Sequence, residues 1–478
     1  MTYETIIGLE VHAQLLTKSK MFCACSADYA SAPPNTFVCP ICLGMPGTLP
    51  TINERAVEYT VMTALALNCS IPETTRFDRK NYFYPDLMKG YQISQRDLPI
   101  GRQGWLAIES GGGRKRINIS DVHLEEDVAK LLHRANCSLI DVNRSGVPLM
   151  EIVSEPDLRS PDEARDYLIE LRHILRYLGV STGNMEEGSF RCDANISMRP
   201  TNGGKPLPKA EVKNMNSFRS VFEALEYESR RQREVLRAGG ELVQETRGWI
   251  EEKGTTVTQR VKEGADDYRY FPEPDLPPLA LDPAWIAEIR SRLPELPAAR
   301  KDRFVSQYGL SLYDAGILTD SRAMADYFEN CLKVMDPGRA KTVSNWLLGE
   351  FSRLLNATNT GVENARISTQ HLAEMLDLID SGAISGPTAK AVFEEMFRTG
   401  KRAGQITSEK GLAQISDAGE MREVIRQVLA DNQGAVADYA AGKEQALTFM
   451  IGQVMRATRG RANPGLAREL IIQELGGK

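Results

Sequence analysis

Strict alternation of apolar and polar residues marks the first segment of the chain. Between residues 6 and 15 every odd position is apolar, and every even position from Gly8 onward is small or polar. A period of two predicts a half-buried strand, so Glu10 and His12 lie side by side on the face turned away from the core. This pair suits a metal site or general acid–base catalysis, although a solvated sheet face with one surface histidine is the simpler interpretation.

A second strand is predicted at residues 117–127, and it ends in three consecutive acids, Glu125, Glu126 and Asp127. Adjacent carboxylates of this kind typically form a solvated turn, which is what we expect here. They gain chemical interest only if another strand brings a metal ion beside them.

Two later strands also carry acids on their polar faces. Asp193 lies on the polar face of residues 191–199, and Glu211 lies on that of residues 210–214. If these strands join the first in one sheet, their carboxylates converge with His12. Carboxylate oxygens and one imidazole, without thiolates, are the ligands expected for Mg²⁺ or Mn²⁺ bound to a nucleotide.

A helical pattern is clearest at residues 161–178. Ser160 is a predicted N-cap, Pro161 occupies the first helical position, and Gly179 follows the last apolar residue of the stripe. A second helix is predicted at 51–69. Both helices are expected to be scaffold rather than site.

The distribution of proline predicts the domain boundaries. Five prolines fall between residues 272 and 283 and indicate a boundary there. Beyond them the pattern is helical to about residue 398, and a polar, glycine-containing joint at 399–404 leads to a mostly helical tail. The length of 478 residues suggests about three domains.

Composition and charge predict a cytoplasmic protein. No run of 18 apolar residues predicts a membrane span, and the N-terminus lacks the basic start and apolar stretch of a signal peptide. The net charge of −6 does not indicate nucleic-acid binding. Residues 401–478 hold 11 Lys or Arg and 9 Asp or Glu, a net of +2, which permits contact with RNA at this end.

Half of the eight cysteines fall close together, in the spacing C-x-C-x13-C-x2-C formed by Cys23, Cys25, Cys39 and Cys42. A disulfide framework is not expected in a cytosolic chain. Two close thiolate pairs predict a tetrahedral structural zinc site, with free thiols or a redox pair as the alternatives. The remaining cysteines are expected to be small buried residues, and they are Cys69, Cys137, Cys192 and Cys331.

Basic and aromatic residues interleave within residues 76–95. Lys80 and Lys89 alternate there with tyrosines such as Tyr82 and Tyr84. Such a loop can hold phosphate and stack a base or ribose, although a tyrosine-rich core hairpin has the same composition. The chain has no Walker A or GxGxxG pattern, and the glycines at 111–113 predict a flexible turn.

Several long motifs, taken in order, resemble those of the GatB family, the GatB subunits of the bacterial glutamyl/aspartyl-tRNA amidotransferase. The resemblance covers essentially the whole chain, and departures such as Met88, where the family usually has proline, touch none of the acids above. The motifs are IIGLEVHAQLLTKSKMFC at 6–23, CPICLGMPGTLP at 39–50, FYPDLMKGYQISQ at 83–95, EEGSFRCDANISMRP at 186–200, EVKNMNSFRSV at 211–221, DYRYFPEPDLPPL at 267–279 and GKEQALTFMIGQVMRATRGRANP at 442–464.

The resemblance implies an α+β fold: a mixed-sheet cradle over 1–290 with a four-cysteine knuckle, a helical domain over 291–399, and a YqeY-like tail over 400–478 that binds tRNA. It implies a heterotrimeric complex with an amidase and a small third protein. That complex converts misacylated Glu-tRNA(Gln) or Asp-tRNA(Asn) to the amide with ATP and glutamine. This chain would phosphorylate the tRNA-linked carboxylate, and ammonia from the partner amidase would then attack it.

Strand patterns and resemblance together assign the site. The expected catalytic residues are Glu10, His12, Glu125, Asp193 and Glu211. The expected Mg²⁺ ligands are Glu10, His12, Glu125 and Glu211. The residues expected to bind ATP are Lys80, Tyr82, Tyr84, Lys89, Gln92, Ser94 and Arg191.

Two hypotheses remain at this stage. In the first, the chain is the kinase half of the enzyme, which the acid-bearing strands favour. In the second, it is a non-catalytic protein for tRNA binding and assembly, which the missing Walker A pattern and the mildly basic tail favour.

Overall fold

A computed structural model defines two compact units, Met1–Pro297 and Ala298–Lys478. Asp267, the first residue of the motif at 267–279, lies outside the described residues. The three-domain division predicted from the sequence stays a prediction. The residues described are 2–261, 268–415, 418–458 and 461–476.

The first unit contains the strands and four helices. Its described strands are β1 (Tyr3–Gln14), β2 (Thr74–Thr75), β3 (Asp78–Asn81), β4 (Tyr91–Ser94), β5 (Gly101–Ser110), β6 (Gly113–Glu126), β7 (Lys130–His133), β8 (Ser138–Asp141), β9 (Pro148–Ser154), β10 (Phe190–Pro200), β11 (Ala210–Met215), β12 (Glu245–Ile250), β13 (Thr255–Val261), β14 (Phe271–Pro272) and β15 (Leu279–Ala280). Its helices are α1 (Glu54–Ala66), α2 (Pro161–Leu178), α3 (Phe218–Arg237) and α4 (Pro283–Ser291).

The second unit is helical. Its described α-helices are α5 (Pro297–Tyr308), α6 (Leu312–Leu318), α7 (Arg322–Val334), α8 (Ala340–Trp346), α9 (Ser352–Thr358), α10 (Thr369–Asp380), α11 (Gly386–Thr399), α12 (Ala403–Glu409), α13 (Ala418–Asp431), α14 (Gln433–Ala440), α15 (Glu444–Ala457) and α16 (Pro464–Glu474). The α+β fold class predicted from the sequence is therefore confirmed.

An eight-stranded mixed sheet forms the centre of the first unit, in the order β13-β12-β11-β10-β1-β9-β6-β5. Neighbouring strands are antiparallel except for the parallel pair β11 and β12. The first strand of the chain is thus an inner strand, with β10 on one side and β9 on the other. Residues far apart in sequence meet across it.

One face of this sheet packs against helices. The odd residues of β1 are buried, as the alternation predicted, with Ile7, Leu9 and Val11 no more than 1% exposed. Helices α1 and α2 contact β5, and α3 contacts β10, so the apolar side chains of both layers form one core. Glu10 and His12 consequently lie on the opposite face.

Helix α2 begins and ends where the sequence predicted. The Ser160 hydroxyl accepts a hydrogen bond from the Glu163 N–H at 3.2 Å, and Pro161 occupies the first turn. Gly179 ends the helix at φ 68°, a left-handed conformation that glycine adopts without steric cost. Local capping chemistry therefore fixes this scaffold element.

A β-bulge divides β6 into two halves. Its register against β9 shifts between Ile119 and Asp121, so Ser120 is the extra residue. Before the bulge Ile117 and Ile119 are buried at odd positions, whereas beyond it the apolar buried positions are even. An extra residue turns the following side chains over, and it re-aims Asp121 and its successors away from the core.

Two hydrophobic clusters occupy the second unit. One includes Phe304, Phe328 and Phe351, and the other includes Met450 and Ile471. Helix α12 contributes to the first cluster. Among the described helices, none combines the length and the apolar character that crossing a bilayer requires.

Candidate active site

Strand register assembles an acidic site on the face of the sheet opposite the helices. Glu10 pairs with Asp193 of β10, and His12 pairs with Glu151 of β9. Glu151 is in turn opposite His123 of β6. Because paired residues on one face have neighbouring side chains, the four strands bring these groups together.

Three of the facing side chains form a tight cluster. His12 Nε2 lies 3.7 Å from Glu125 Oε1 and 3.4 Å from Glu151 Oε2. One ligand atom from each of the three residues lies within 4.8 Å of the others. Ligands on adjacent corners of a Mg²⁺ octahedron are about 3 Å apart, so a small movement would suffice to hold an ion. The oxygen and imidazole donors fit Mg²⁺ or Mn²⁺.

Both histidines of the site have raised pKa values. Burial alone would lower the pKa of His12, but the charge of Glu151, together with Glu125, outweighs it. For His123 the same opposition, with Asp121 as second anion, raises the pKa to about 10. The His123 Nδ1 lies 2.7 Å from Asp121 Oδ1 and its Nε2 lies 3.2 Å from Glu151 Oε2. Glu151 is therefore held between two imidazoles.

Glu10 extends the acidic site toward β11. Burial, and then the charge of Glu151, raise its pKa, while a hydrogen bond of 2.8 Å from the Asn195 amide opposes the shift. Lys213 Nζ lies 2.5 Å from Asp193 and 3.0 Å from Glu211. Part of the negative charge is thus already balanced on this side of the cavity, whereas Glu10 has no cation this close among the described residues.

These groups line one cavity of about 540 Å³. Lys80 and Ser94 line it too, and Lys80 Nζ lies 5.2 Å from the ring centre of Tyr268. Burial alone would lower the pKa of Lys80, but the charge of Glu125 raises it. The acidic and basic lining residues are Glu10, His12, Lys80, Arg96, Asp121, His123, Glu151, Asp193, Lys209, Glu211 and Lys213.

The three consecutive acids do not form the predicted solvated turn, and that prediction is wrong. Glu125, Glu126 and Asp127 are each no more than 5% exposed. Glu125 faces His12, with the Ser94 hydroxyl at 3.4 Å. Their strand lies inside the sheet, so each acid is buried against a different group.

Several residues predicted to bind ATP lie apart from this cavity. Lys89 forms an ion pair with Glu126, and Arg191 pairs with Asp127 at 2.9 Å. Gln92 donates to the Glu126 backbone carbonyl at 2.7 Å. Neither cation therefore lies among the acids of the cavity.

The two predicted tyrosines differ in position. The Tyr82 hydroxyl lies 3.5 Å from Gln92 Oε1, and its ring is 5.9 Å from Lys80 Nζ. Tyr84 is 56% exposed in the turn that follows. Of the residues predicted to bind ATP, the structure brings Lys80 and Ser94 to the cavity and Tyr82 beside them.

Sequence reasoning missed Glu151 and His123. Glu151 is the one acid in the otherwise apolar strand β9, and that isolation was the available signal. His123 was hidden by the bulge at Ser120. The apolar positions change from Ile117 and Ile119 to even numbers after 120, and this phase change in the sequence could have revealed the face of His123.

The four-cysteine cluster forms a second candidate metal site. Cys23, Cys25, Cys39 and Cys42 have their sulfur atoms within 4.8 Å of one another. Thiolates around a tetrahedral zinc lie about 3.8 Å apart, so the set fits the ion closely. The Cys39 N–H also donates to Cys42 Sγ at 3.2 Å, as in a knuckle turn.

A buried cation accompanies this cluster. Lys20 is 1% exposed, and its Nζ lies 3.6 Å from Cys42 Sγ. A hydrogen bond from Cys23, with smaller contributions from the Cys39 N–H and Lys20, lowers the pKa of Cys42 to about 4. The cluster therefore holds a thiolate beside a lysine.

The cysteines outside the cluster are free thiols. The prediction that they are buried is confirmed for Cys69, Cys192 and Cys331. It is wrong for Cys137, which is exposed in the hairpin between β7 and β8.

Comparison with known protein families identifies the two parts of the chain. Residues 5–287 match the GatB/GatE catalytic domain, and residues 326–475 match the GatB domain. The chain belongs to the GatB family. The GatB/GatE catalytic domain match contains every strand of the acidic cavity.

Curated GatB relatives match over nearly the full length. Proteins named as GatB-type subunits of aspartyl/glutamyl-tRNA(Asn/Gln) amidotransferase are 56% identical in Thermomicrobium roseum and in Dehalococcoides mccartyi, and 54% identical in Caldanaerobacter subterraneus. Each match covers 99% of this chain and at least 99% of the relative. The resemblance seen in the sequence motifs, and the enzyme class it implied, are confirmed.

Proposed function

We propose that this GatB chain is the kinase component of a tRNA-dependent amidotransferase. It activates the side-chain carboxylate of glutamate or aspartate esterified to tRNA(Gln) or tRNA(Asn). The observation that carries this proposal is the meeting of His12, Glu125 and Glu151 in one cavity with Glu10. Acids this close need a cation, and a nucleotide-bound divalent ion supplies one.

The proposed reaction has two steps. A carboxylate oxygen of the aminoacyl group forms a bond to the γ-phosphorus of ATP, and the bond from that phosphorus to the β,γ-bridging oxygen breaks, releasing ADP. Ammonia then adds to the carbonyl carbon of the acyl phosphate. Phosphate leaves, a proton is lost from nitrogen, and the amide remains on the tRNA.

Two anions must approach each other in the first step, so their charge has to be screened. His12, Glu125 and Glu151 would hold Mg²⁺ or Mn²⁺, with Glu10 and Glu211 as further acids of the same cavity. A bound ion there screens the phosphates and the attacking carboxylate. Lys80 and Lys213 bring positive charge to the same walls without an ion.

The second step needs ammonia from elsewhere. This chain lacks an amidase signature of the Gly-Gly-Ser-Ser type. We assign ammonia supply to a partner amidase, with a small third protein completing the complex. The printed name of the relatives, which makes each of them one subunit of an amidotransferase, supports a complex of several chains.

The cysteine cluster is assigned to structural zinc. Four thiolates complete a tetrahedron and leave no position open for substrate. Its ligands come from the loop between β1 and α1. The zinc therefore stabilises this loop and takes no part in phosphoryl transfer.

The test is ATP-dependent acyl-phosphate formation in the complex reconstituted with its partner proteins. Glu10→Gln and Glu125→Gln should each lower the rate at least a hundredfold with misacylated tRNA present, because each removes an anion of the proposed cation site. Trapping the acyl phosphate with hydroxylamine measures the step directly. Glutaminase activity of the same complex should be unchanged.

Glu241→Gln is the matched control. Glu241 is an exposed acid of the loop after α3, and this isosteric change should leave the rate unaltered. If the two cavity variants form acyl phosphate as fast as this control, the kinase assignment fails. The chain would then serve tRNA binding and assembly without taking part in the chemistry.

A further inference from the structure

A second cavity opens directly beside the acidic one. It also measures about 540 Å³, within the range of about 300–1,000 Å³ typical of ligand pockets. Arg96, Ser120 and Asp121 line both cavities. A ligand lying in the second cavity can therefore extend into the first.

Three guanidinium groups face this second cavity, those of Arg96, Arg102 and Arg116. Within the described part of the chain, no carboxylate forms an ion pair with any of the three. The neighbours of Arg116 in the hairpin behave differently, because Arg114 pairs with Glu109 at 3.4 Å and Lys115 pairs with Glu163 at 2.6 Å.

The available cations are held in place by the sheet. The guanidinium of Arg116 lies 5.0 Å from the ring centre of Trp105, and its Nε donates to Asn118 Oδ1 at 3.0 Å. Arg96 lies 5.7 Å from the ring of Tyr270. Stacked arginines keep most of their N–H donors free for a planar or anionic ligand.

Two acids also line the cavity, and they do not block an anion. Asp121 is turned toward His123, whose Nδ1 lies 2.7 Å from its carboxylate, and toward the Ser120 hydroxyl at 3.1 Å. Glu155 is exposed at the rim. The three arginines therefore outnumber the acids, and the cavity carries net positive charge.

The bulge in β6 places this cavity beside the site. Ser120 is the extra residue that turns Asp121, His123 and Glu125 toward the acidic cavity. On the adjacent strand Gln103 has a φ of 54°, which is uncommon for a residue other than glycine. Both irregular residues line the basic cavity, as bulges next to functional sites often do.

We propose that the arginines Arg96, Arg102 and Arg116 bind the phosphodiester groups of the 3′ end of the substrate RNA. This inference rests on the proposed function, in which the reacting carboxylate is esterified to the terminal ribose. The last phosphates of the strand must then lie next to the acidic cavity. Guanidinium groups bind phosphate oxygens in pairs, which positions the strand without reading its sequence.

The opposite end of the acidic cavity suits the other substrate. A cavity of about 660 Å³ lined by Leu9, Pro206, Leu207 and Pro208 shares Glu10 and further residues with the acidic one. Its apolar wall fits a nucleobase, whereas the basic cavity fits a phosphate chain. This difference assigns RNA, rather than ATP, to the arginines.

The experiment measures binding in the reconstituted complex, without ATP and with uncharged tRNA. Full-length tRNA is compared with the same tRNA lacking its last four nucleotides. The double variant Arg102→Gln/Arg116→Gln should weaken binding of full-length tRNA about tenfold and lower the slope of log Kd against log salt by about 1 to 2. Binding of the truncated tRNA should not change.

Arg114→Gln is the matched control, an arginine of the same hairpin that is paired with an acid. It should bind both tRNAs as the unaltered complex does. The proposal is overturned if the double variant binds full-length tRNA normally, or if it loses affinity equally for both tRNAs. It is also overturned if the Kd for ATP rises while tRNA binding is unchanged, because the cavity would then hold the nucleotide.

This readout is independent of the chemical step. A complex whose Glu10 and Glu125 variants remain active would contradict the kinase proposal, and the binding comparison would still decide where the RNA end lies. Conversely, normal binding by the arginine variants would leave the kinase proposal standing. The two proposals can therefore fail separately.

Discussion

The two candidate metal sites of the first unit differ in how the chain builds them. The cysteine cluster takes all its ligands from one loop of twenty residues, in a spacing that alone predicts the ion. The cluster of His12, Glu125 and Glu151 takes one ligand from each of three strands, and nothing in their spacing predicts that they meet. The first site depends on local chain geometry, and the second depends on the register of the whole sheet.

The difference in ligands parallels a difference in role. Thiolates saturate a zinc ion and hold a loop, so loss of that site should reduce stability. Carboxylates and imidazole leave positions for water and phosphate, so loss of that site should reduce the reaction rate. Each prediction below changes one site and measures both properties.

The largest effect is expected for Glu151→Gln. The variant removes the anion that faces both His12 and His123, and acyl-phosphate formation should fall about a thousandfold. The zinc content of the purified complex should stay at that of the unaltered protein. A rate within tenfold of normal would show that Glu151 is not part of the site.

The second prediction removes the other site. Cys39→Ser/Cys42→Ser should abolish zinc binding and lower the free energy of unfolding by about 3–5 kcal/mol, measured by denaturant titration. Acyl-phosphate formation per folded complex should remain within about twofold. Cys137→Ser, at an exposed free thiol, is the control and should alter neither quantity. An unchanged unfolding curve for the double variant would refute a structural zinc.

The third prediction concerns Asp127, which belongs to neither site. Its carboxylate receives hydrogen bonds from Arg191 at 2.9 Å and from Gln14 at 2.7 Å, which joins the ends of β10 and β1. Asp127→Asn leaves these partners without an anion and should lower the free energy of unfolding by about 3 kcal/mol at pH 7. Zinc content should be unchanged.

The effect of Asp127→Asn should depend on pH. Burial raises the pKa of Asp127, but the charges of Arg191 and Arg144 outweigh it and the folded pKa is lowered. Because the unfolded pKa is higher, at about 3.9, the stabilisation is fully present above that value and is lost as pH falls through the folded pKa. The difference between variant and unaltered protein should therefore shrink below about pH 4. A difference that persists there would exclude charge as its cause.

The smallest effect is expected for Lys20→Met. The side chain keeps its volume but loses the cation beside Cys42 and a hydrogen bond of 2.8 Å to the Phe37 carbonyl. We expect a loss of about 1–2 kcal/mol in stability and roughly tenfold weaker zinc retention against a competing chelator. Lys18→Met, at an exposed lysine two residues away, should retain zinc normally. Equal retention by both variants would remove Lys20 from the zinc site.

What the sequence could predict follows the same division between local and distant structure. The cap at Ser160, the stop at Gly179 and the alternation around Glu10 each depend on a few neighbouring residues, and the structure has all three. The knuckle of cysteines is equally local. Physical rules for caps, turns and strands act over such short ranges.

The rest depended on strand pairing, which the sequence does not state. Glu151 became part of the site because β9 lies between β1 and β6. Lys89 and Arg191 were expected near the acids of the cavity, but they pair with Glu126 and Asp127, because consecutive residues at the end of β6 face different partners. The family resemblance supplied His12 and Glu125 together, which periodicity alone left open.

The alternation in β1 also has an evolutionary consequence. Substitutions on its two faces are independent, since the odd residues answer to packing and the even residues to chemistry. Loss or gain of a single residue within the strand would exchange the faces, sending Glu10 and His12 toward the helices and Leu9 and Val11 toward the cavity. Descendants of this chain can therefore vary β1 letter by letter, but they cannot change its length between the two sets of pairing partners.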